Sequence, residues 1–357
     1  MLYPNFEALP YALGENAKAP DRHARMRVFA EDFKVDEISE ISPDGEGEHI
    51  FLQVQKTGCN TEWLARQFAR FVGIRVADVS YAGLKDRHAV TTQWFSLHLP
   101  GKAQPDWSSW DVPNTRILQH ARHCRKLRRG MLAGNRFELI LRDLTGTREI
   151  IEQTLLRIRE TGVPNYFGEQ RFGFEENNLQ QAEQVFLGKL KPRRHQRGLY
   201  ISAARSFLFN QVLAQRIREQ NWLQMLPGEV LQLSGSRSWF VPDSAEQDDT
   251  QLMQRLDSGD VQPTGPLWGK GESPAQLEVG KLEQDCLAPF SEFCQGLEKA
   301  GLKQERRPLR LPVADLSWSF EDDNQLKLNF TLPAGSYATV VIREIVQIKK
   351  DDTSQNG

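Results

Sequence analysis

The 357-residue sequence is poor in cysteine and lacks any long apolar run. Its four cysteines, at positions 59, 124, 286 and 294, form no Cys-x-x-Cys pair, which argues against both a zinc motif and a disulfide framework. No apolar run approaches the ~20 residues that a membrane helix needs, so no membrane association is expected. Residues 1–27 are polar and do not resemble a secretory signal, and a cytoplasmic protein is the simplest expectation.

The sequence also lacks the common cofactor motifs. Its histidines show no His-x-x-x-His spacing and no His/Cys cluster with the spacing of metal ligands, so no metal site is expected. Neither a Gly-x-Gly-x-x-Gly motif nor a Walker loop is present, so no nucleotide cofactor is expected. Any chemistry is therefore expected to come from the side chains alone.

Charge is nearly balanced overall, with a formal net charge of -2, but it is unevenly distributed. Residues 116–136 and 189–205 are rich in arginine and lysine and contain no acidic residue. Such tracts create a local positive field that suits a polyanion such as RNA. They are equally compatible with a solvated face whose charge is balanced by acids elsewhere in the fold.

Hydrophobic periodicity predicts an α+β fold. Strand and helix patterns alternate up to residue 160, whereas the middle of the chain is mostly helical, with a Gly/Pro-rich loop predicted at 259–274. Strand patterns then return before a last helix. This order predicts a domain of residues 1–160 and 312–357, with a mixed or antiparallel sheet flanked by helices, that is interrupted by a mostly helical α+β insertion at 161–311.

The most informative segment is YAGLKDRHAV at residues 81–90. It joins two predicted strands, and Gly83 allows a tight backbone path between them. Asp86 lies between Lys85 and Arg87, whose charges favour the ionised carboxylate. A permanently charged aspartate suits covalent catalysis or removal of a proton from a sugar carbon. The plainer interpretation is a surface turn with a salt bridge.

Three other segments carry residues that are suited to RNA. In residues 126–137, basic side chains could hold phosphates and Asn135 could contact a base or a ribose hydroxyl, although Gly134-Asn135 is also a good hairpin turn. Residues 164–173 mix aromatics with Gly, Arg and Gln, which suits base stacking or a packed joint between domains. Tyr337 is expected at the exposed start of a C-terminal helix, or packed on the core.

In their order and spacing, these segments resemble the TruD family of tRNA pseudouridine synthases. The resemblance covers nearly the whole chain, from Glu31-Asp-Phe33 to Arg343-Glu344. Its motifs are GEGEH at 45–49, KTGCNT at 56–61, AGLKDRHAVT at 82–91, NYFGEQRFG at 165–173, TGPL at 264–267 and PAGSYAT at 333–339. Each string is short, but together they are highly specific.

The resemblance implies a pseudouridine synthase catalytic domain with the family's own TRUD insertion domain. It also implies conversion of uridine to pseudouridine at position 13 of tRNA, without a cofactor or a metal. The family's catalytic aspartate falls on Asp86, which would either bond to the sugar or remove its 2′ proton. The substrate-contacting positions fall on Phe33, Asn135 and Tyr337. The two aromatics would stack on the extruded base, and the amide would hold the detached uracil.

The chain departs from the family pattern at two positions before this site. Ala30 stands where the family usually has proline, and Arg27 stands where lysine is common. Either change could alter a substrate contact, but neither removes the aspartate.

Two other functions stay open at this point. One is a non-catalytic RNA-binding or RNA-folding protein that uses the same cleft. The other is a metal-dependent nuclease built on Asp86 and His88, although no further acids cluster around this loop as a two-metal site requires. For the synthase, tRNA is the expected partner, and no obligate protein partner is indicated.

Overall fold

The structure is a computed structural model that describes residues 6–12, 19–39, 41–128, 131–173, 176–243, 250–322 and 324–349. The chain divides into two compact units, each built from segments that are distant in sequence. The sheet unit comprises Asp21–Arg148, Val313–Ser336 and Val346–Gly357. The helical unit comprises Met1–Pro20, Glu149–Pro312 and Tyr337–Ile345.

The strands of the first half of the chain are β1 (His23–Met26), β2 (Phe33–Ser39), β3 (His49–Thr57), β4 (Val79–Tyr81), β5 (Val90–His98), β6 (Thr115–His123), β7 (Leu132–Arg142) and β8 (Val163–Pro164). Those of the second half are β9 (Leu231–Leu233), β10 (Trp239–Phe240), β11 (Val261–Leu267), β12 (Glu305–Pro308), β13 (Arg310–Leu311), β14 (Ala314–Phe320), β15 (Leu326–Pro333) and β16 (Gln347–Ile348). The helices are α1 (Thr61–Val72), α2 (Arg148–Thr161), α3 (Asn177–Phe186), α4 (Arg194–Arg218), α5 (Thr250–Ser258), α6 (Leu277–Leu287), α7 (Ser291–Lys299) and α8 (Ala338–Ile345).

The sheet unit is organised around a mixed sheet with the strand order β14-β15-β7-β2-β5-β3-β6. Neighbours in this order are antiparallel, except that β2 and β5 are parallel, with Lys34 opposite Val90. Two parallel neighbours begin at the same edge of a sheet. The chain that leads into β5 therefore meets the chain that leads into β2, and this edge is where the Asp86 loop lies.

Helix α1 packs on one face of this sheet. Asn60 precedes it in an extended conformation, and Gly73 ends it with a φ of 65°, the left-handed conformation that favours glycine. Leu64 and Phe68 lie four residues apart on the buried face of the helix, and both are fully buried with apolar residues of β3 and β5. Burial of side chains of this size stabilises the fold by about 1.5–3 kcal/mol each.

The helical unit is organised around α4 and a four-stranded sheet with the order β10-β9-β11-β12. The three strand pairings in this sheet are antiparallel. Helix α4 is long enough to contact β11 as well as α3, α6 and α7, and Phe207, Leu208 and Phe209 are buried along it. A second, two-stranded sheet pairs β8 with β13.

The predicted α+β class is confirmed, but two local predictions are wrong. Part of the expected loop at 259–274 is β11. Its prolines are tolerated because neither neighbouring strand pairs along its full length: Val261–Pro263 pairs with β9, and Thr264–Leu267 pairs with β12. Gly134-Asn135 is not a turn but lies inside β7. A Cβ at Gly134 would lie 2.5 Å from the carbonyl oxygen of Leu332 on β15, so the glycine serves a close strand approach.

The compact units do not share the boundaries expected for a catalytic domain and an insertion. Helix α8 and residues 149–160 of α2 belong to the helical unit, although the expected catalytic domain, 1–160 and 312–357, would include both. Compactness does not assign chemistry to either unit, so the division into a catalytic and an insertion domain stays a prediction. Among the described residues, no helix has both the length and the apolar character to cross a membrane.

Candidate active site

The loop of residues 82–89 joins β4 to β5 and carries Asp86. Two buried polar side chains hold its backbone. Lys56 on β3 is fully buried, and its Nζ donates to the Asp86 carbonyl oxygen at 3.0 Å. Thr61, at the start of α1, accepts from Lys85 N through Oγ1 at 3.0 Å. Because buried polar groups are costly unless they are paired, these bonds fix the course of the loop.

The carboxylate of Asp86 forms an ion pair with Arg27. Asp86 Oδ2 pairs with Arg27 Nη2, and Asp86 Oδ1 accepts a hydrogen bond from His88 N at 3.1 Å. The side chains of Asp86 and Arg27 are 25% and 23% exposed. The negative charge is therefore balanced by a guanidinium but is still accessible to solvent.

The cations that flank Asp86 in sequence use their side chains elsewhere. Lys85 Nζ lies 2.9 Å from Glu37 Oε1 and donates to Asn135 Oδ1 at 2.9 Å. The Arg87 guanidinium donates to a backbone carbonyl between β3 and α1. The expected cationic partners were therefore wrong, because consecutive side chains of a loop project in different directions.

Arg27 links Asp86 to Phe33. Its φ of 64° is unusual for a residue with a side chain. The guanidinium lies over the Phe33 ring, 4.2 Å from the centroid, as in a cation–π pair. Phe33 is only 3% exposed, and it packs edge-to-face against Phe137 at 6.3 Å. Phe33 is thus next to the site, but one face of its ring is covered by the partner of Asp86.

Glu37, Lys85 and Asn135 form a second polar group in the same unit. Glu37 on β2 lies directly opposite Asn135 on β7, and its Oε2 accepts from Trp94 N at 2.8 Å. The side chains of Lys85 and Glu37 are 6% and 2% exposed, and Asn135 is 8% exposed. The structure therefore brings Asp86, Phe33 and Asn135 together through two basic residues.

Glu37 of this group, and Lys56, which holds the Asp86 loop, were not predicted from the sequence, although a signal for them exists. Glu37 and Lys56 are charged, but they lie on the buried side of their strands, two residues along the chain from buried apolar residues. Asn135 has the same position in β7. A half-buried strand normally places apolar residues at such positions, so a charged residue there indicates a specific partner.

Burial changes the acid–base properties of two groups beside the loop. It lowers the pKa of the Lys56 ammonium, although the nearby Cys59 and Asp86 side chains oppose that change. It also raises the pKa of the Cys59 thiol. The thiol therefore stays protonated at neutral pH, which makes Cys59 a poor nucleophile.

Tyr337 lies in the helical unit, immediately before α8. Its carbonyl oxygen accepts a hydrogen bond from Val340 N at 3.1 Å, as at the first turn of a helix, and its side chain is half-buried. It therefore stands at the start of the helix, as the sequence predicted. Its role in substrate contact stays a prediction.

The segment of residues 165–173 also lies in the helical unit, and its aromatic rings are buried. Arg307, which was missed in the sequence, lies over the Phe167 ring at 4.0 Å and donates to Asn165 Oδ1 at 2.5 Å. Burial lowers the pKa of Arg307 to about 10, and the Arg171 charge adds to that decrease. Buried rings fit the packing interpretation of this segment better than base stacking.

In the two basic tracts, some side chains are bound to other groups of the protein and others are exposed. Arg122, on β6, donates to Gly47 O at 2.8 Å and to Lys102 O at 2.7 Å. Arg205, on α4, is held by Glu305 at 2.9 Å. The exposed basic residues of the two tracts include Arg125, Lys126, Arg128, Arg193 and Arg194. Arg129, another expected phosphate contact, lies outside the described residues.

Chemically, this arrangement offers an accessible carboxylate on a fixed loop, with a guanidinium beside it and a buried amide nearby. Among the described residues, neither Asp86 nor His88 belongs to a group of three or more side chains placed to share a metal ion. The geometry therefore favours a reaction in which Asp86 itself acts on a substrate over one in which Asp86 serves as a metal ligand.

Comparison with known sequences finds similar proteins that match nearly the whole chain. The family model described as tRNA pseudouridine synthase D (TruD) matches residues 16–188 and 179–345. The tRNA pseudouridine synthase D of Nitrosococcus oceani is 49% identical over 347 residues, which are 96% of each chain. That of Aeromonas hydrophila is 48% identical over 348 residues, 97% of this chain and 96% of the relative.

Comparison with solved structures identifies the same fold. A crystal structure of a protein from Methanosarcina mazei, provisionally assigned as tRNA pseudouridine synthase D (TruD), matches with a TM-score of 0.70. The match covers 97% of this chain and 96% of that one, at 22% identity. At this level of identity, the match supports the fold.

Proposed function

The chain belongs to the TruD family of tRNA pseudouridine synthases and is a pseudouridine synthase; from this premise we propose that it isomerises uridine at position 13 of tRNA, with Asp86 as the catalytic residue. The observation that carries the proposal is the carboxylate of Asp86, held on a fixed loop, paired with Arg27 and a quarter exposed. An ionised carboxylate that substrate can reach is what cleavage of the glycosidic bond requires.

In this reaction the bond between N1 of uracil and C1′ of the ribose breaks, and a bond between C5 and C1′ forms. Asp86 begins the cleavage either by bonding to C1′ or by removing the 2′ proton, and both routes need the carboxylate. Asp86 is regenerated when C5 displaces it from C1′, or when the 2′ proton returns to the sugar. The proton on C5 is lost after the new bond forms, and N1 gains a proton. Arg27 pairs with the carboxylate and holds it in one orientation until the substrate arrives.

Asn135 holds the detached uracil in this proposal. Its Oδ1 accepts from Lys85 Nζ, which orients the amide so that its NH2 group is the one offered to a uracil carbonyl. Lys85 is in turn fixed by Glu37, so the amide is supported by a buried ion pair. Such support limits the rotation of the amide while the base turns over.

Phe33 and Tyr337 are proposed as the aromatic contacts of the base. Tyr337 is half-buried at a helix start, where part of its ring is open. Phe33 is covered by Arg27, so a base that stacks on Phe33 must take the place of the guanidinium. The same movement would release the Asp86 carboxylate for reaction, because Arg27 contacts both residues.

The exposed arginines and lysines at 125–128 and 193–194 are proposed to contact tRNA phosphates. Such contacts position a nucleic acid without reading its sequence. Because its substrate is tRNA, the enzyme is proposed to act in the cytoplasm, which fractionation of cells with an antibody would test.

The proposal is tested with two tRNA transcripts that differ only in uridine or cytidine at position 13. After incubation with the protein, carbodiimide labelling and primer extension map pseudouridine along each transcript. We expect one new stop, at position 13 of the uridine transcript, in the presence or absence of a chelator. Asp86→Asn should abolish this stop while the tRNA remains bound.

Each other outcome identifies a different function. A stop at another position would overturn the assignment of position 13. Binding without any pseudouridine would indicate a non-catalytic RNA-binding protein. Strand cleavage that a chelator prevents would indicate a nuclease.

A further inference from the structure

A mixed set of potential metal ligands lies at the end of β6 in the sheet unit. Asp44, His123 and Cys124 each offer one ligand atom, and these atoms lie within 4.8 Å of one another. Asp44 Oδ2 is 2.7 Å from His123 Nδ1 and 2.6 Å from Cys124 Sγ. The pseudouridine reaction proposed above uses none of these residues.

The backbone that carries these ligands is held in place by contacts of its own. Gly45 N donates to Arg122 O at 3.0 Å, and Arg122 Nη1 donates to Gly47 O at 2.8 Å. Gly47 has a φ of 102°, and a Cβ there would lie 2.6 Å from both Cys124 Cα and the His123 carbonyl oxygen. Only glycine allows this approach, so the loop with Asp44 is fixed against the end of β6.

The three ligand atoms differ in their surroundings. Asp44 Oδ2 accepts hydrogen bonds from the backbone N and from the thiol of Cys124, at 3.2 and 2.6 Å. His123 packs against Phe51 at 4.8 Å. Its Nδ1 is shielded from solvent and forms no hydrogen bond of acceptable geometry with any described residue, although Asp44 Oδ2 is close.

We propose that Asp44, His123 and Cys124 bind one Zn²⁺ ion, with solvent at the fourth position. Carboxylate oxygen, imidazole nitrogen and thiolate sulfur are the ligands that zinc uses in proteins. Two such ligands on a tetrahedral zinc are about 3.5 Å apart, so the carboxylate moves outward by about 1 Å when the ion enters. The Cys124 thiol transfers its proton to solvent and forms the sulfur–zinc bond, and the two anionic ligands balance the charge of the ion.

The bound ion would crosslink the loop before β3 to the end of β6. The exposed residues Arg125, Lys126 and Arg128 follow directly after the ligands His123 and Cys124, so the same crosslink fixes the position at which this basic segment begins. The role is structural, and removal of the metal is expected to lower the melting temperature without stopping the isomerisation. The zinc proposal therefore stands or falls separately from the proposed function.

The test uses the untagged full-length protein, which is stripped with a chelator and then dialysed against Zn²⁺. We expect about one zinc per chain in the parent. Loss of a single ligand in Cys124→Ser, His123→Gln or Asp44→Asn should weaken binding about tenfold or more, since loss of a partner one shell further out already has effects of that size. Co²⁺ in place of zinc should give a thiolate charge-transfer band that is absent from Cys124→Ser.

Each ligand variant has a matched control elsewhere in the chain. Cys286→Ser, His98→Gln and Asp78→Asn remove a thiol, an imidazole and a carboxylate that are not part of the ligand group. They should bind zinc as the parent does, and circular dichroism melts of the metal-free proteins show whether each variant is folded. The proposal is overturned if the parent binds no zinc, if folded Cys124→Ser binds it as tightly as the parent, or if the controls lose it equally.

Discussion

One buried ion pair of the helical unit, Arg306 with Glu283, and the ion pair of the candidate active site differ in how far they are exposed to solvent. Arg306 Nη2 lies 2.7 Å from Glu283 Oε1, and these side chains are 1% and 3% exposed. Arg306 Nη1 donates to Glu283 Oε2 at 3.0 Å. Arg306 Nε donates to the Thr264 hydroxyl at 2.9 Å, and Nη2 also donates to the Thr264 carbonyl oxygen at 2.8 Å. In the sheet unit, the pair of Arg27 and Asp86 is about a quarter exposed.

This difference in solvent exposure determines whether each ion pair can interact with a substrate. Four of the five N–H donors of the Arg306 guanidinium are bound to Glu283 and Thr264, and the side chain is 1% exposed, so its pair contributes to the fold. Arg27 Nε is shielded from solvent and has no hydrogen-bond partner among the described residues. A partly exposed (open) ion pair with unsatisfied polar atoms can exchange partners with a substrate. A fully buried (closed) ion pair cannot, and the fold loses stability when either of its members is removed.

The largest expected effect is on catalysis by the open pair. Asp86→Asn keeps the size of the side chain but removes the charge that the reaction needs, so turnover should fall on the order of a thousandfold or more. Affinity for tRNA should change little, because one charge is a small part of a polyanion interface. Single-turnover assays, filter binding and thermal melts on one preparation measure all three quantities. Full activity in a verified variant would remove Asp86 from the mechanism.

The closed pair should respond in the opposite way. Arg306→Met leaves the Glu283 charge buried without its cationic partner, so the free energy of unfolding should fall by about 3–5 kcal/mol. Urea denaturation measures the change, and Arg255→Met, in an exposed pair with Asp260, is the control that should unfold like the parent.

A double variant sharpens this second prediction. Arg306→Met combined with Glu283→Met removes both charges of this pair and should regain most of the lost stability. If Arg306→Met alone were as stable as the parent, the contrast between closed and open pairs would be wrong.

The same comparison applies to a buried aromatic ring and a partly exposed one. Phe33→Ala should lower the free energy of unfolding by about 3–5 kcal/mol, because a buried ring is lost from the core. Tyr337→Ala should melt nearly like the parent but lose activity roughly 5- to 150-fold, which corresponds to 1–3 kcal/mol of stacking. Tyr337→Phe should be mild. If Tyr337→Phe alone were inactive, the hydroxyl would carry the role of this residue and stacking would be the wrong account.

The smallest expected effect distinguishes arginines whose side chains are bound within the protein from arginines whose side chains are exposed. Affinity for tRNA should fall steeply as salt rises, and each phosphate contact should contribute about 0.7–0.9 to the slope of log affinity against log salt. Arg125→Ala should reduce that slope by about one contact, whereas Arg122→Ala should leave it unchanged, because Arg122 is bound to backbone carbonyls. Titrations at four or more salt concentrations give the slopes. A slope that neither variant alters would place the phosphate contacts elsewhere.

Sequence reasoning succeeded where a feature depends on neighbouring residues. The alternation in β2 and β3 and the apolar face of α1 were sufficient to predict those elements. It failed at β11, where the prolines indicated a loop, because it could not show that neither neighbouring strand pairs along the full length of this strand. The same limit applies to Gly134, which belongs to a strand that passes close to another and not to a turn.

The sequence by itself determined the chemistry that is available: an aspartate in a loop between two strands, an asparagine and two aromatics in motifs of one family, and basic tracts on a nearly neutral chain. The tertiary structure decided which groups meet. It paired Asp86 with Arg27 and not with its neighbours in sequence, and it brought Asp44 to Cys124 across 80 positions of the chain. Secondary structure is encoded within a few residues, but such pairs depend on strand register and on close approaches between distant segments, which no local pattern contains.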